Sequence, residues 1–525
     1  MRRWGKVAIF PLVFAFACSR PMGPQPDIAK SAATAEPVSG NRAKGEEALK
    51  EMEPQAAALP AQEAKLGATG AAAPPPPAAP SRAPMMKRKE SGASPVVVDA
   101  REQDQFNTEG YDRVHENPFH FVKDSPLSTF SVDVDTASYS NMRRFVRSGS
   151  MPPPDSIRVE EWINYFPYDD SPPESSEPIA VSNELTDCPW APSHRLLRVA
   201  LTTRPIAQDA VPPRNLVFLI DVSGSMSDAN KLPLLKQGLA MLARQLRPVD
   251  TVSMVVYAGA SGLALPPTSG ADQEKILGAL AALESGGSTN GAAGIQLAYQ
   301  VAAAQFKKGG VNRVVLASDG DFNVGVTSMG DLERLIEEKR KTGVFLTVLG
   351  FGQGNLKDAT MEKLADKGNG QYAYIDSIAE ARKVLVHESG ATLVTVAKDV
   401  KLQLEFNPAR VKSYRLVGYE NRLLAAQDFN DDKKDAGEMG AGHHVTAFYE
   451  VVPADAAASK PSSPAVDPLK YQSERAPSSS ASGNELLTVK IRYKPPTSDE
   501  SRLMTKAVVD KPLPMAQTTD STRFG

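Results

Sequence analysis

The amino-acid sequence predicts an α/β fold. A doubly wound, mostly parallel, Rossmann-like sheet is flanked by β-rich segments and preceded by a disordered N-terminal linker. Three observations predict it. Short apolar runs alternate with amphipathic stretches between residues 214 and 390, as in parallel sheets covered by helices on both faces. Strand-like runs such as KDVKLQLEF follow this region, and the first hundred residues are rich in Ala and Pro.

Length and charge narrow the functional classes. A chain of 525 residues is too long for one compact core and is expected to form two or three domains plus linkers. Its 59 basic and 62 acidic residues nearly balance, and no long basic run is present. Nucleic-acid binding needs a basic patch or stripe, so we expect no nucleic-acid partner.

The N-terminus is typical of an export signal. A basic start, Met1-Arg2-Arg3, precedes an apolar run from Val7 to Ala17 that is too short to span a bilayer. Cys18 follows directly, and the junction resembles a bacterial lipobox. The resemblance implies a signal peptide at 1–17, cleavage before Cys18 and lipidation of that residue. The alternative is an ordinary secretory signal with an incidental cysteine.

This resemblance also predicts the location. Ser19 stands where an aspartate would imply retention in the inner membrane, so the resemblance implies an outer-membrane lipoprotein facing the periplasm or the cell surface. Several lipid chains on one residue would anchor the chain firmly. Residues 18–105, which include AAAPPPPAAPSRAP, are predicted to be a disordered tether between this anchor and the folded part. Cys188 is then left without a partner and is expected to be buried.

The first folded segment is predicted at 106–205. Alternating apolar residues around Phe130 indicate a strand, and 138–149 is predicted to be a helix. Between them, D-x-D-x-T resembles the nucleophile motif of haloacid dehalogenase-type phosphatases. In that enzyme hypothesis Asp133 attacks phosphorus, Asp135 is the general acid and Mg²⁺ is bound. No suitable lysine or acidic pair completes it, and capping of the helix at Thr136 to Ser138 is the preferred alternative.

The alternating region gives specific element boundaries. Its predicted strands are 216–221, 251–258, 262–266, 312–318, 344–351 and 371–375. Its predicted helices are 231–246, 271–284, 292–307, 329–342, 358–368 and 377–388.

Oxygen-bearing side chains follow two of these strands. Asp221, Ser223 and Ser225 form D-x-S-x-S after the run LVFLI, and Asp319 follows the run VVLAS. Ligands of doubly wound sheets bind at the carboxyl ends of the strands, and carboxylate and hydroxyl oxygens suit a hard cation. Thr289, in SGGSTNG, adds a further hydroxyl on a loop between them.

These five residues resemble the metal-ion-dependent adhesion site of the von Willebrand factor type A domain. The resemblance implies that Ser223, Ser225 and Thr289 give hydroxyls to the ion, and that Asp221 and Asp319 hold it directly or through waters. It implies Mg²⁺, or another divalent cation such as Mn²⁺ or Ca²⁺. An acidic side chain of a protein partner would complete the coordination shell. The expected function is therefore non-enzymatic, metal-dependent protein binding.

The flanks share this resemblance, which covers roughly residues 106–515. It implies a type A domain at 214–390 between an N-terminal domain at 106–205 and a β-rich C-terminal domain at 391–525. We expect both flanks to form one β-sandwich, with 196–204 in contact with 399–407. A structural or assembly role in the envelope, in which the metal only stiffens loops, is the alternative. No serine hydrolase is expected, because VSGSM lacks the G-x-S-x-G elbow.

Overall fold

The computed structural model describes residues 108–174, 176–207, 209–287, 291–320, 328–388, 393–456 and 477–525. All the described residues belong to one compact unit. The predicted signal peptide, Cys18, the tether and Thr289 lie outside the described residues. Within them, no helix is both long and apolar enough to cross a bilayer.

The elements of the described residues are numbered in chain order. The strands are β1 (His120–Phe121), β2 (Leu127–Ser131), β3 (Ile179–Asp187), β4 (Arg195–Thr203), β5 (Arg214–Asp221), β6 (Thr251–Tyr257), β7 (Ser261–Ser269), β8 (Val311–Ser318), β9 (Phe345–Phe351), β10 (Tyr372–Ile375), β11 (Thr395–Phe406), β12 (Val411–Val417), β13 (Gly437–Gly440), β14 (His444–Pro453), β15 (Glu485–Lys494) and β16 (Arg502–Val509). The helices are α1 (Ala137–Arg147), α2 (Val159–Asn164), α3 (Leu232–Ala243), α4 (Gln273–Ala281), α5 (Gly291–Ala304), α6 (Met329–Arg340), α7 (Asp358–Lys367), α8 (Ile378–Arg382) and α9 (Asp520–Phe524).

The central domain is the predicted doubly wound sheet. Its strands lie in the order β10-β9-β8-β5-β6-β7, and every pair is parallel except β6 with β7. Residues of β5 point alternately to the two faces: Leu216 and Phe218 join one apolar core, and Val217 and Leu219 join the other. The prediction of this fold class is confirmed, and the predicted strands and helices match within about three residues, with one exception. The helix predicted at 377–388 is an α-helix only over Ile378–Arg382 and continues as a π-helix over Lys383–His387.

The flanking segments form two antiparallel sheets. One has the order β1-β12-β14-β4-β3, and the other has the order β13-β11-β15-β16 with β2 also paired to β11. Each sheet combines strands from before and after the central domain, because β4 pairs with β14 and β2 pairs with β11. The two flanks are therefore intertwined strand by strand.

The flanks share a single apolar core, as expected of a β-sandwich, but the two segments expected to be in contact lie in different sheets. Leu197 and Leu201 of β4 share one apolar cluster with Leu402 and Leu404 of β11. The two strands belong to different sheets, since β4 lies between β3 and β14. The segments 196–204 and 399–407 therefore contribute to the same core without pairing as neighbouring strands.

Cys188 lies in a small apolar cluster beside this core. Its thiol is free and buried, as expected, and its neighbours in the cluster are Leu196 and Phe448. Burial raises the pKa of the Cys188 thiol, so the unreactive protonated form is favoured.

The prediction that a side chain at Thr136 to Ser138 caps the helix is wrong, because the capping hydrogen bond comes from another helix. Thr136 occupies the N-cap position of α1, but its side chain makes no capping hydrogen bond. Instead, Oε2 of Glu161 accepts a hydrogen bond from the Ser138 amide at 2.7 Å. Glu161 of α2 thus accepts from an amide at the start of α1 that has no partner within its own helix. Ser140 Oγ donates to the Tyr374 carbonyl at 2.7 Å, which holds α1 against β10.

The shared core predicts that one aromatic residue of β2 stabilises both flanks. Phe130 is fully buried, and its ring centroid lies 4.9 Å from that of Tyr419. We expect Phe130→Ala to lower the free energy of unfolding of the flanking sheets by about 3–5 kcal/mol, because it leaves a cavity. Urea unfolding followed by circular dichroism measures this. Phe306→Ala, at a position that is 44% exposed on the central domain, is the control. Equal losses for both variants would contradict the prediction.

Candidate functional site

The predicted metal-site residues meet at the carboxyl edge of the central sheet. Asp221 is the last residue of β5, and Asp319 directly follows β8. The two strands are adjacent and parallel, so their ends lie at the same edge. Asp221 and Asp319 are fully buried, Ser223 is nearly so, and Ser225 is half-buried. The structure therefore brings together the four predicted residues that it describes.

Neutral groups of neighbouring residues donate hydrogen bonds to Asp221. Its Oδ1 accepts from the Ser223 amide at 2.9 Å, and its Oδ2 accepts from the hydroxyls of Tyr257 at 3.2 Å and Ser318 at 3.1 Å. Burial raises the pKa of Asp221, and the charge of Asp319 adds to the rise. These three donors are neutral, so a bound cation would relieve the buried charge of the carboxylate.

The turn after β5 places both serine hydroxyls beside these carboxylates. Ser223 Oγ and Ser225 Oγ lie 3.0 Å apart within hydrogen-bonding distance, and the Ser225 hydroxyl also bonds to Asp319. The Gly224 amide donates to the carbonyl of Gly287 at 3.1 Å, which ties this turn to the loop that leads to Thr289. The D-x-S-x-S spacing thus folds its oxygens toward one point.

Lys231 is a site residue that the sequence pattern did not reveal. Its Nζ donates to Asp319 Oδ2 at 2.9 Å and to Asn355 Oδ1 at 3.2 Å, and the residue is 4% exposed. Burial raises the pKa of Asp319, but hydrogen bonds from Asn355 and Lys231 outweigh it and hold that pKa below its ordinary value. A single lysine before an apolar helix gives no signal in the sequence that it turns inward.

The arrangement fits a hard divalent cation. It offers two carboxylates and two hydroxyls, whereas Lys231 supplies only one positive charge. The remaining negative charge belongs to Asp221, whose hydrogen bonds from described residues come from neutral groups. Oxygen donors of this kind are those that Mg²⁺ and Ca²⁺ select.

Asp133 and Asp135, the residues of the phosphatase hypothesis, lie elsewhere, in a buried ion-pair cluster. The Arg422 guanidinium lies 3.6 Å from a carboxylate oxygen of Asp133 and 3.1 Å from one of Asp135. Asp135 Oδ1 also accepts from the Tyr372 amide at 2.6 Å. Both carboxylates are thus engaged in joining segments of the chain.

The cluster combines side chains from the central domain and both flanks. Its members are the carboxylates of Asp133, Asp135, Glu161, Asp358, Glu362 and Asp366 and the guanidinium groups of Arg158 and Arg422. Ligand atoms of Asp135, Glu161 and Glu362 lie within 4.8 Å of one another, a spacing that could hold a metal ion. Arg422 contacts Asp135 and Glu362, and Arg158 contacts Glu161, so guanidinium groups already act as the cations there.

Comparison with known proteins assigns all three parts of the folded chain. Family models match at residues 105–198 (von Willebrand factor), 215–386 (von Willebrand factor type A domain) and 391–525 (uncharacterized protein YfbK, C-terminal). The uncharacterized protein YfbK of Escherichia coli (strain K12) is 44% identical over 404 residues, which cover 76% of this chain and 69% of that protein. The chain belongs to the YfbK family of von Willebrand factor type A proteins.

Two further similarities are more distant. The human inter-alpha-trypsin inhibitor heavy chain H4 is 29% identical over 161 residues, which cover 29% of this chain and 17% of that protein. A solved structure of a von Willebrand factor type A protein from Catenulispora acidiphila is 12% identical, with a TM-score of 0.38 over 76% of this chain and 75% of that chain. The family assignment agrees with the resemblance seen in the sequence.

The charge cluster makes a contribution to stability that is lost as pH rises. Burial, the largest cause, raises the pKa of Glu362 from its ordinary 4.5 to about 7, and burial also raises the pKa of Asp133, Asp135 and Glu161. A carboxyl group with a raised pKa binds its proton more tightly in the folded state. Its contribution to stability is complete below its unfolded pKa and is lost as pH rises through the folded pKa.

We therefore expect Glu362 to contribute a fall of about 2 kcal/mol in the free energy of unfolding between roughly pH 5 and 8. Buried His443, whose pKa burial lowers to about 4, contributes in the opposite direction, so the effect of Glu362 is the difference between the wild-type profile and that of its variant. Urea unfolding across this range measures the change, and Glu362→Gln should flatten the profile. Glu337→Gln is the matched control, because Glu337 makes a partly exposed ion pair with Lys367 of α7 at 2.8 Å. If the free energy of unfolding depends on pH equally steeply in Glu362→Gln and in Glu337→Gln, the prediction is wrong.

Proposed function

We propose that this protein is a non-enzymatic, divalent-metal-dependent protein-binding module on a lipid-anchored protein of the cell envelope. The main support for the proposal is that four oxygen-bearing side chains lie together at one edge of the sheet: Asp221, Ser223, Ser225 and Asp319. Thr289 is proposed as a further ligand, by resemblance to the adhesion site. The ion is proposed to be Mg²⁺, or another divalent cation such as Mn²⁺ or Ca²⁺.

The exposure pattern of the site supports binding of a partner. The carboxylates are buried, whereas Gly224 is exposed and Ser225 is half-buried, so the hydroxyl side of the site borders solvent. A carboxylate of another protein can approach from this side and complete the shell of an ion held from within. Binding would then depend on the divalent cation and on an acidic side chain of the partner.

We expect Asp221→Ala to weaken Mg²⁺ binding by about 100-fold or more, because the ion loses the carboxylate that best balances its charge. Isothermal titration calorimetry on the full chain measures the ion affinity directly. Asp272→Ala is the matched control, since Asp272 is an exposed aspartate of the same domain whose side chain makes no capping hydrogen bond to α4. Unchanged Mg²⁺ affinity in Asp221→Ala would end the assignment of the site.

Partner capture distinguishes binding from a purely structural role. The wild-type chain should retain envelope proteins in Mg²⁺ and release them in EDTA, and Asp221→Ala should capture none in either condition. If the ion binds and raises the thermal midpoint but no capture depends on it, the structural alternative holds instead.

Lipid anchoring at Cys18 is the proposed cause of the envelope location. Its support is the N-terminal sequence, in which Cys18 follows the apolar run Val7–Ala17. We expect Cys18→Ser to move the full-length chain from the membrane fraction to the soluble periplasmic fraction, because the variant cannot be lipidated. Cys188→Ser is the matched control. Equal membrane retention of both variants would contradict the anchor.

A further inference from the structure

A short segment of the N-terminal flank lies against a loop of the central domain next to the metal site. We call residues 108–111 the strap, and residues 352–357, which follow β9, the 352–357 loop. The Thr108 amide donates to the Gly354 carbonyl at 2.7 Å, and the Gly110 amide donates to the Leu356 carbonyl at 2.9 Å. The strap therefore runs along this loop like an added strand, with a parallel bridge from Gly110 to Lys357.

Glu109 fastens the strap from both sides. Its Oε1 accepts from the Gly354 amide at 2.7 Å, and its two oxygens accept from the Arg144 guanidinium at 2.7 and 2.9 Å. The Tyr111 hydroxyl donates to the same carboxylate at 2.7 Å. With its side chain only 3% exposed, Glu109 connects the 352–357 loop to α1 by charge-assisted hydrogen bonds.

The 352–357 loop in turn contacts the metal site. Asn355 bonds to both Lys231 and Asp319, and Lys231 bonds to Asp319. A Cβ on Gly320, where φ is +100°, would clash with the backbone of Lys357, and a Cβ on Gly352 would clash with the side chain of Lys231. The loop is thus packed so closely on Asp319 and Lys231 that its position and theirs are linked.

We propose that docking of the strap sets the ion affinity of the metal site, by holding Asn355 and Lys231 where they position Asp319. This regulation rests on the proposed metal-dependent function. Coupling of this kind is reciprocal, so a bound ion also strengthens the docking of the strap. Residues 18–105 are predicted to be the tether, and a load on that tether reaches the strap before any other described element. Partner binding at the site and tension on the anchor would then oppose each other.

The first experiment measures Mn²⁺ affinity by isothermal titration calorimetry on the full chain. Glu109→Gln removes the strap's charged anchor, and Thr108→Pro removes the amide that donates to Gly354. Each should raise the Kd about five-fold or more. Glu116→Ala is the matched control, because Glu116 belongs to the same flank with its side chain 86% exposed. Unchanged or tighter binding in both strap variants would overturn the proposal.

A second measurement uses the wild-type chain alone and does not depend on the folding of any variant. Mn²⁺ should slow hydrogen exchange of the amides in the strap and in the 352–357 loop. Ion binding without slower exchange in the strap would overturn the coupling and leave the proposed function standing. Absence of any Mn²⁺ or Mg²⁺ binding by the wild-type chain would overturn the proposed function, and the strap's role with it.

Discussion

A single guanidinium group joins the three parts of the folded chain. Arg422 comes from the C-terminal flank and contacts Asp135 of the N-terminal flank together with Glu362 and Asp366 of the central domain. Because these groups are removed from water, the loss of Arg422 would leave buried carboxylates without a counterion. Arg422 and Arg158, which pairs with Asp358 and Glu362, together hold the central domain against the flanking sheets.

At the metal-binding edge, by contrast with the cluster around Arg422, one carboxylate has no positively charged partner among the described residues. At Asp221 the hydrogen-bond donors are neutral hydroxyls and an amide, which orient the carboxylate without neutralising it. At Asp319 a buried ammonium group from Lys231 forms an ion pair at 2.9 Å. One carboxylate is thus left for an incoming cation, and the other is held in position by the protein. The same fold therefore keeps one cluster of carboxylates satisfied internally and another ready for an ion.

The sequence predicts the central domain well because its strands and helices are marked by patterns of neighbouring residues. Apolar residues with strand and helix periods identify nearly every element there, and D-x-S-x-S marks the edge at which the site forms. The flanks are harder, since β16 is mostly exposed and β3 carries mixed residues, so neither shows a clean alternation. Strand partners follow from register between distant segments, which no local pattern contains. Lys231 and the Glu161 cap were missed for the same reason, because each acts on a residue far away in the sequence or on another helix.

The pairing of β4 with β14 also determines the order in which the chain can fold. These strands are separated by the whole central domain, whose strands and helices lie in one continuous stretch of sequence. When the chain is delivered from its N-terminus, that domain can close as soon as its own residues are present, whereas β2 and β4 must wait for β11 and β14. Until then their apolar side chains lack a partner sheet, and chaperones that hold extended, apolar segments have a defined period in which to act. The flanking sheets are therefore the slow, high-contact-order part of the molecule, and they complete its folding last.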